Sequence, residues 1–445
     1  MMRRLETGME RLRAIPFLIG CLGFALVAFT LPARAIEIER VVSPLGIEAW
    51  LVEEDTVPLI AMSFAFVGGS AQDPAEKPGV ANMLSGLLDE GAGDLDSEAF
   101  QGALADSSIE MSFDAGRDAF FGSLRTLTEN RDEAVRLLKL ALTEPRFDSE
   151  PVERIRAQVI TGLRRAETDP DSIAGKALIQ TAFPDHPYGR PSAGTAESVA
   201  AITADDLRTF RGKNFARNNL KIAVVGSISP DELKTLLDEV FGALPVKSNL
   251  EPVRDVEPVV PATIDIPFDT PQSVLSFAGP GLKRDDPDFI PAFVASYILG
   301  GGSFSSRLYE EIREKRGLAY SVGLGLSPYD HAGLYSGGTR TRNAEADNVI
   351  ALIREEIEKF AKDGPSEEEL AAAKNYLIGS FALRFTTSGR IAGQLLSQQL
   401  DGLGIDYIDR RNDLVAAVTI EDVKRAAKRL FSGDMIVVRV GQLPS

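Results

Sequence analysis

Apolar and polar positions along this chain alternate between two periods, and that mixture sets the fold class. Residues 61–67 place Met62, Phe64 and Phe66 against smaller partners, the period-two pattern of a half-buried strand. Residues 112–127 read as a hairpin-like pair of strands. Residues 129–142 and 151–167 have helical spacing instead. The second half follows the same grammar, with strands expected over 273–277, 320–326 and 334–339 and long helices over 348–362 and 366–385. The last of these begins at Ser366 with Glu369 in capping-box register.

The pattern also repeats. Ile202-Thr203-Ala204-Asp205-Asp206-Leu207 precedes the apolar run 220–225 and Gly226, and Val418-Thr419-Ile420-Glu421-Asp422-Val423 precedes 435–440 and Gly441. In each copy the threonine is a natural N-cap and the following strand is a largely apolar run of the fully buried type. The repeat predicts two copies of one α+β domain, each an antiparallel sheet with helices on one face. Residues 244–262, with their prolines and weak periodicity, read as a linker between an N-terminal domain (36–243) and a C-terminal domain (263–445). Two such units enclose a cleft.

Residues 1–35 are a different matter. Arg3, Arg4, Arg11 and Arg13 precede an apolar run over 14–31, and Ala33-Arg34-Ala35 offers the small residues of a cleavage site, so a secretory signal peptide is expected. An uncleaved anchor, or lipidation at Cys21 in Leu18-Ile19-Gly20-Cys21, is the alternative. Cleavage after Ala35 removes five arginines and two glutamates, taking the net charge from −17 to −20, and it removes the single cysteine. An exported, thiol-free, acidic protein has no disulfides and no electrostatic footprint for nucleic acid or anionic lipid. The periplasm is the expected compartment.

Residues 79–91, G-V-A-N-M-L-S-G-L-L-D-E-G, resemble the zinc-binding helix of the insulinase-like metallopeptidases, whose inverted motif is His-x-x-Glu-His. At its three chemical positions this chain has Asn82, Ser85 and Gly86. Asparagine is a poor zinc ligand, serine a weak base, and glycine offers nothing. The whole chain has two histidines, His186 and His331, in neither an HxxEH nor an HxxxH spacing. The resemblance continues in His186-Pro187-Tyr188-Gly189 with Gly194-Thr195, where His186 is a structural loop residue. It is sharpest over Leu299-Gly300-Gly301-Gly302-Ser303-Phe304-Ser305-Ser306-Arg307-Leu308 and 312–322. Without a following Gly-Lys-Ser/Thr, Gly300–Ser303 is no phosphate loop, and it reads as a glycine-rich stretch that leads into a helix and permits close packing.

The resemblance implies a two-domain clamshell and a role for the Arg313/Tyr320 pair. In the family an arginine and a tyrosine seven residues apart reach the substrate, the guanidinium suiting a carbonyl or carboxylate and the phenol a developing oxyanion. An ordinary solvated arginine and a core tyrosine are the plain alternatives. The family's third zinc ligand is a glutamate on a later helix; the matching helix here carries Glu150 and Glu153, and either fits the position. By this reading the chain carries no cofactor of its own, and zinc belongs to a partner. It is a catalytically incomplete subunit that pairs with an HxxEH-bearing subunit as a heterodimer and acts in peptide proteolysis only within that complex. The alternative is a non-catalytic peptide-binding or assembly scaffold.

Overall fold

The structure is a computed structural model, described here for residues 37–443; the signal-peptide reading and Cys21 lie outside the described residues. The first sheet is built from β1 (Glu39–Val42), β2 (Glu48–Glu53), β3 (Leu59–Val67), β4 (Glu110–Ala115), β5 (Ala119–Leu127) and β6 (Leu220–Gly226), in the order β1-β2-β6-β3-β5-β4. The second comprises β7 (Ala262–Pro267), β8 (Gln272–Pro280), β9 (Ala319–Pro328), β10 (Gly333–Arg342) and β11 (Ile436–Gly441), in the order β7-β11-β8-β10-β9. Setting β1 aside, the two orders match strand for strand. The β2/β6 and β7/β11 pairs are parallel, and every other pairing in both sheets is antiparallel. The fold is therefore α+β and duplicated.

The local signals behave as their chemistry requires. Thr203 and Thr419 both cap helices, Ala204–Asn214 and Ile420–Phe431, through capping boxes closed by Asp206 and Asp422. Ser366 accepts from the Glu369 amide, and the Glu369 carboxylate accepts in return from Ser366. That helix, however, runs only Glu367–Gly379. The expected continuation to 385 breaks at Gly379-Ser380 into a short 3-10 turn, Phe381–Arg384. Phe381 is thereby turned inward under the guanidinium of Arg411, 4.6 Å from the ring centroid. The Gly300 segment also departs from expectation: it forms the π-helical end of a helix instead of leading into one. The close-packing reason holds, since a Cβ on Gly300 would lie 2.6 Å from Leu324 Cβ.

One expectation fails in an informative way. The helices do not cover only one face of each sheet. On β11, Val437 faces the helices of its own half, whereas Ile436, Val438 and Val440 pack with Ala174, Leu178 and Ala182 of the helix Pro170–Ala182 from the first half. Reciprocally, the helix Ser388–Leu400 of the second half lies on β3 and β6, and Gln399 Nε2 donates to the buried carbonyl of Ile222 at 2.7 Å. Each half lends a helix to the bare face of the other's sheet. This explains why 220–225 and 435–440 are apolar at all positions but Lys221 and Arg439: both faces are covered. The exchange and the contacts that follow make residues 38–443 one compact body. Residues 244–261 contain no helix or strand but are fastened, with Val256 N donating to His331 O and Val259 N to Ala182 O, both at 2.9 Å.

Candidate functional site

The degenerate motif occupies a short helix, Val80–Ser85, whose start is fixed by backbone more than by side chains. Gly79 sits at φ +100 and Gly194 at φ +83, conformations that other residues adopt only with strain. A Cβ on either would lie within 3 Å of the other's loop, so the helix is pinned against the segment after His-Pro-Tyr-Gly. Asp73, 4% exposed, completes the start by accepting from Gly79 N at 2.7 Å and Ala81 N at 2.9 Å. Burial raises its carboxyl to about 7, against the pull of those two amides.

Asn82, Ser85 and Gly86 are half-buried and share one side of the helix, while Ala81, Met83 and Leu84 face the core. Ser85 Oγ donates to Asn82 O at 2.9 Å, a local bond that leaves no base. A Cβ added at Gly86 would meet Ile155 Cγ2 at 3.2 Å, so the neighbour across the gap is an aliphatic side chain of the helix Ser149–Ala166. Glu150 and Glu153 on that helix are both well exposed and paired within it, Glu150 with Arg154 at 3.4 Å and Glu153 with Arg156 at 3.2 Å. Arg154 also bridges to Glu90 in the turn beyond the motif, at 2.6 Å. Arginine–carboxylate pairs and an aliphatic contact therefore surround Asn82, Ser85 and Gly86. Among the described residues no group of three or more His, Cys, Asp or Glu is arranged to hold a metal.

His186 is buried with both ring nitrogens engaged: Nδ1 accepts from Tyr188 N at 3.2 Å and Nε2 donates to Arg254 O at 2.9 Å. Burial depresses its pKa, so it is a neutral structural group. Its neighbour Tyr188 is the hub that sequence reasoning missed. Tyr188 OH donates to Asp118 Oδ1 at 2.6 Å and accepts from His331 N at 3.0 Å, while Asp118 Oδ2 accepts from Asp330 N at 3.2 Å. The turns of two hairpins from opposite halves meet on this one phenol. The only visible signal was that Tyr188 sits inside the His-Pro-Tyr-Gly turn. Beside the hub, Asp114, Asp118, Asp330 and Asp401 line a cleft of about 590 Å³ between β4/β5 and the borrowed helix Ser388–Leu400. Burial raises the carboxyls of Asp330 and Asp401.

The second constellation is built differently. Arg313 ends a π-helical turn, Glu310–Glu314, and Gly317 at φ +61 reverses the chain by donating to Arg313 O at 3.0 Å. Ala319 then opens β9, and Tyr320 projects outward with 88% of its surface exposed. Arg313 lies 5.3 Å from the Tyr309 ring centroid and pairs with its neighbour Glu314. Phe304, 77% exposed, packs edge-on to the same Tyr309 ring at 5.2 Å. Tyr320 is thus not the buried core aromatic of the plain alternative. Its phenol makes no protein hydrogen bond among the described residues and borders a surface pocket with Ser276 and Arg340.

Known proteins share this architecture. Residues 51–196 match the family described as "Insulinase (Peptidase family M16)", and residues 201–377 match "Peptidase M16 inactive domain". A Helicobacter pylori protein named "Non-peptidase homolog YmxG" is 30% identical over 337 residues, 75% of this chain and 78% of the relative. An uncharacterized zinc protease of Streptomyces coelicolor is 27% identical over 406 residues, covering 88% of this chain and 86% of that protein. The crystal structure of a peptidase M16 inactive domain from Pseudomonas fluorescens superposes with a TM-score of 0.86 at 29% identity, over 92% of this chain and 98% of that one. The duplicated sheets, the frame around Asn82, Ser85 and Gly86, and these likenesses together place the chain in the insulinase family, peptidase M16.

Proposed function

We propose that this protein, inactive as a peptidase on its own, is the zinc-less subunit of an exported heterodimeric insulinase-family peptidase. Its partner carries the His-x-x-Glu-His helix and the zinc, and this chain contributes Arg313 and Tyr320 to peptide binding and transition-state stabilisation. The reading takes the chain as a signal peptide (1–35) and two domains, 36–243 and 263–445, joined by the linker 244–262, with the mature protein in the periplasm. One observation carries it: Tyr320 is held 88% exposed on a well-formed strand, with its hydroxyl free, beside an arginine on the preceding turn. An exposed phenol with no protein partner among the described residues is free to donate to a second molecule. No helix among the described residues is long and apolar enough to cross a membrane.

Chemically, the guanidinium holds a peptide carbonyl or carboxylate, and the phenol donates to the oxygen on which charge develops. Zinc on the partner supplies the activated water. The test is to assay the purified chain, an HxxEH-bearing relative exported by the same cell, and the two mixed. Peptide cleavage is expected only in samples containing the relative, with the mixture well above the relative alone. Equimolar zinc on this chain, with chelator-sensitive cleavage by it alone, would refute the proposal.

A further inference from the structure

The second half holds a cavity of about 720 Å³, within the range of small-molecule sites, between the helix Phe289–Ser296, β9 and the turn Phe381–Arg384. Most of its wall is apolar, with Phe289, Phe293, Tyr297, Leu324 and Phe381 among the lining side chains. Its polar groups are unusual for such a place. Arg411 is 5% exposed, and no carboxylate pairs with it among the described residues. Its Nη1 donates to Leu377 O at 2.6 Å and Asn412 Oδ1 at 3.0 Å, leaving Nε and Nη2 without a protein acceptor. Another cation, Arg384, acts on it electrostatically, lines the same cavity and has no carboxylate partner among the described residues. Burial above all disfavours the charged guanidinium, with Tyr407 acting against that and Arg384 adding to it. On the same wall Gln398, 1% exposed, has neither side-chain nitrogen nor oxygen hydrogen-bonded.

The contrast with Arg284 in the same cavity is instructive. Arg284 is neutralised by Asp401 at 3.6 Å, donates to Tyr407 OH at 2.8 Å and stacks on Phe289 at 4.3 Å. Arg411 also lies over two rings, Phe381 at 4.6 Å and Phe293 at 5.9 Å, but among the described residues neither it nor Arg384 has an anion. In a protein of net charge −17, a buried arginine without a carboxylate, with a second unpaired arginine at the exposed edge of the same cavity, is an arrangement that an anion would relieve.

We propose that this cavity binds an amphipathic carboxylate of the medium-chain fatty-acid class, its tail among Phe289, Phe293 and Phe381 and its carboxylate on Arg411 and Arg384. A peptide would bring an amide N–H and a carbonyl per residue that need partners, whereas Phe289, Phe293, Leu324 and Phe381 offer none and suit an alkyl tail. This site is separate from the Arg313/Tyr320 surface, and its occupancy does not depend on the partner subunit.

Calorimetric titration of the full mature chain with decanoate, below its micelle concentration, is the test. One saturable site per chain is expected, with decanol, which keeps the tail and lacks the charge, binding at least roughly tenfold more weakly. Arg384→Gln, at an exposed position, should weaken decanoate binding by roughly three- to tenfold and leave decanol unchanged. Arg411→Met should abolish the preference for decanoate over decanol, with circular dichroism confirming the fold. Equal binding of decanoate and decanol, no saturable binding of either, or tighter binding of a hydrophobic peptide with a free C-terminus would each overturn the proposal.

Discussion

The two halves carry the same strand order and the same capped helix before the last strand, yet they have kept opposite things. The first half keeps a short helix fixed by paired positive-φ glycines at its start, with Asn82, Ser85 and Gly86 on its outer side and Ile155 against Gly86. The second half exposes its polar tips instead, with Tyr320 projecting into solvent and Arg313 lying over the Tyr309 ring. Scaffold and chemistry are therefore separable in this fold. The backbone of both halves rests on the same packing, whereas the side chains at these positions differ between them.

The largest expected effects test whether the halves are one cooperative body. Leu178→Ala removes an apolar side chain that the first half places on the second half's sheet, and should cost about 2–5 kcal/mol. Gln399→Leu strands the buried Ile222 carbonyl on the reciprocal contact and should cost about 1–3 kcal/mol. Urea unfolding of both variants should remain a single transition, shifted as a whole. Two separated transitions in either variant would mean that the halves fold independently.

Rebuilding the motif sharpens the comparison. Asn82→His, Ser85→Glu and Gly86→His together should not create a stoichiometric zinc site. Ile155 stands against position 86, while Glu150 and Glu153 point into solvent, paired with arginines. The triple variant should lose roughly 1–3 kcal/mol from crowding at Ile155, and elemental analysis after dialysis should find well under one zinc per chain.

The pH response separates two buried groups. Asp73, raised to about 7, holds its proton in the fold where an unfolded aspartate has lost it, so its contribution is full below about pH 4 and fades as pH rises to 7. Over that span the loss is up to about 4 kcal/mol. His186, with its pKa lowered by burial, acts in the opposite sense: unfolding gains a proton below about 6.5, so acid weakens the fold there. Asp73→Asn should remove the falling limb between pH 4 and 7 in denaturation midpoints, leaving the acid weakening due to His186. An unchanged profile in that variant would show that Asp73 is ionised in the fold.

Much of this could be read from local patterns. The capping boxes at Thr203, Thr419 and Ser366 are decided by neighbouring atoms, and the β3, β5, β6 and β11 runs by hydrophobic period, so sequence was sufficient. What it could not supply were contacts across long separations. The exchanged helices, the Tyr188 hub linking Asp118 to His331, and Ile155 opposite Gly86 each join residues that the chain brings together only when folded. The site was half legible for the same reason. Residue types revealed that the metal positions were altered, and the open choice between Glu150 and Glu153 needed the geometry that points both away.

Tyr320→Phe in the reconstituted complex tests the central claim most directly. The substitution removes one exposed hydroxyl with no protein partner, so stability should stay within about 0.5 kcal/mol and association with the zinc-bearing subunit should be unaffected. Turnover of the complex should nevertheless fall by roughly 10- to 1000-fold, as for loss of a transition-state hydrogen-bond donor, and Arg313→Ala should act in the same direction. A complex that keeps full activity with both residues altered would contradict the composite site and leave the chain as a peptide-binding or assembly scaffold.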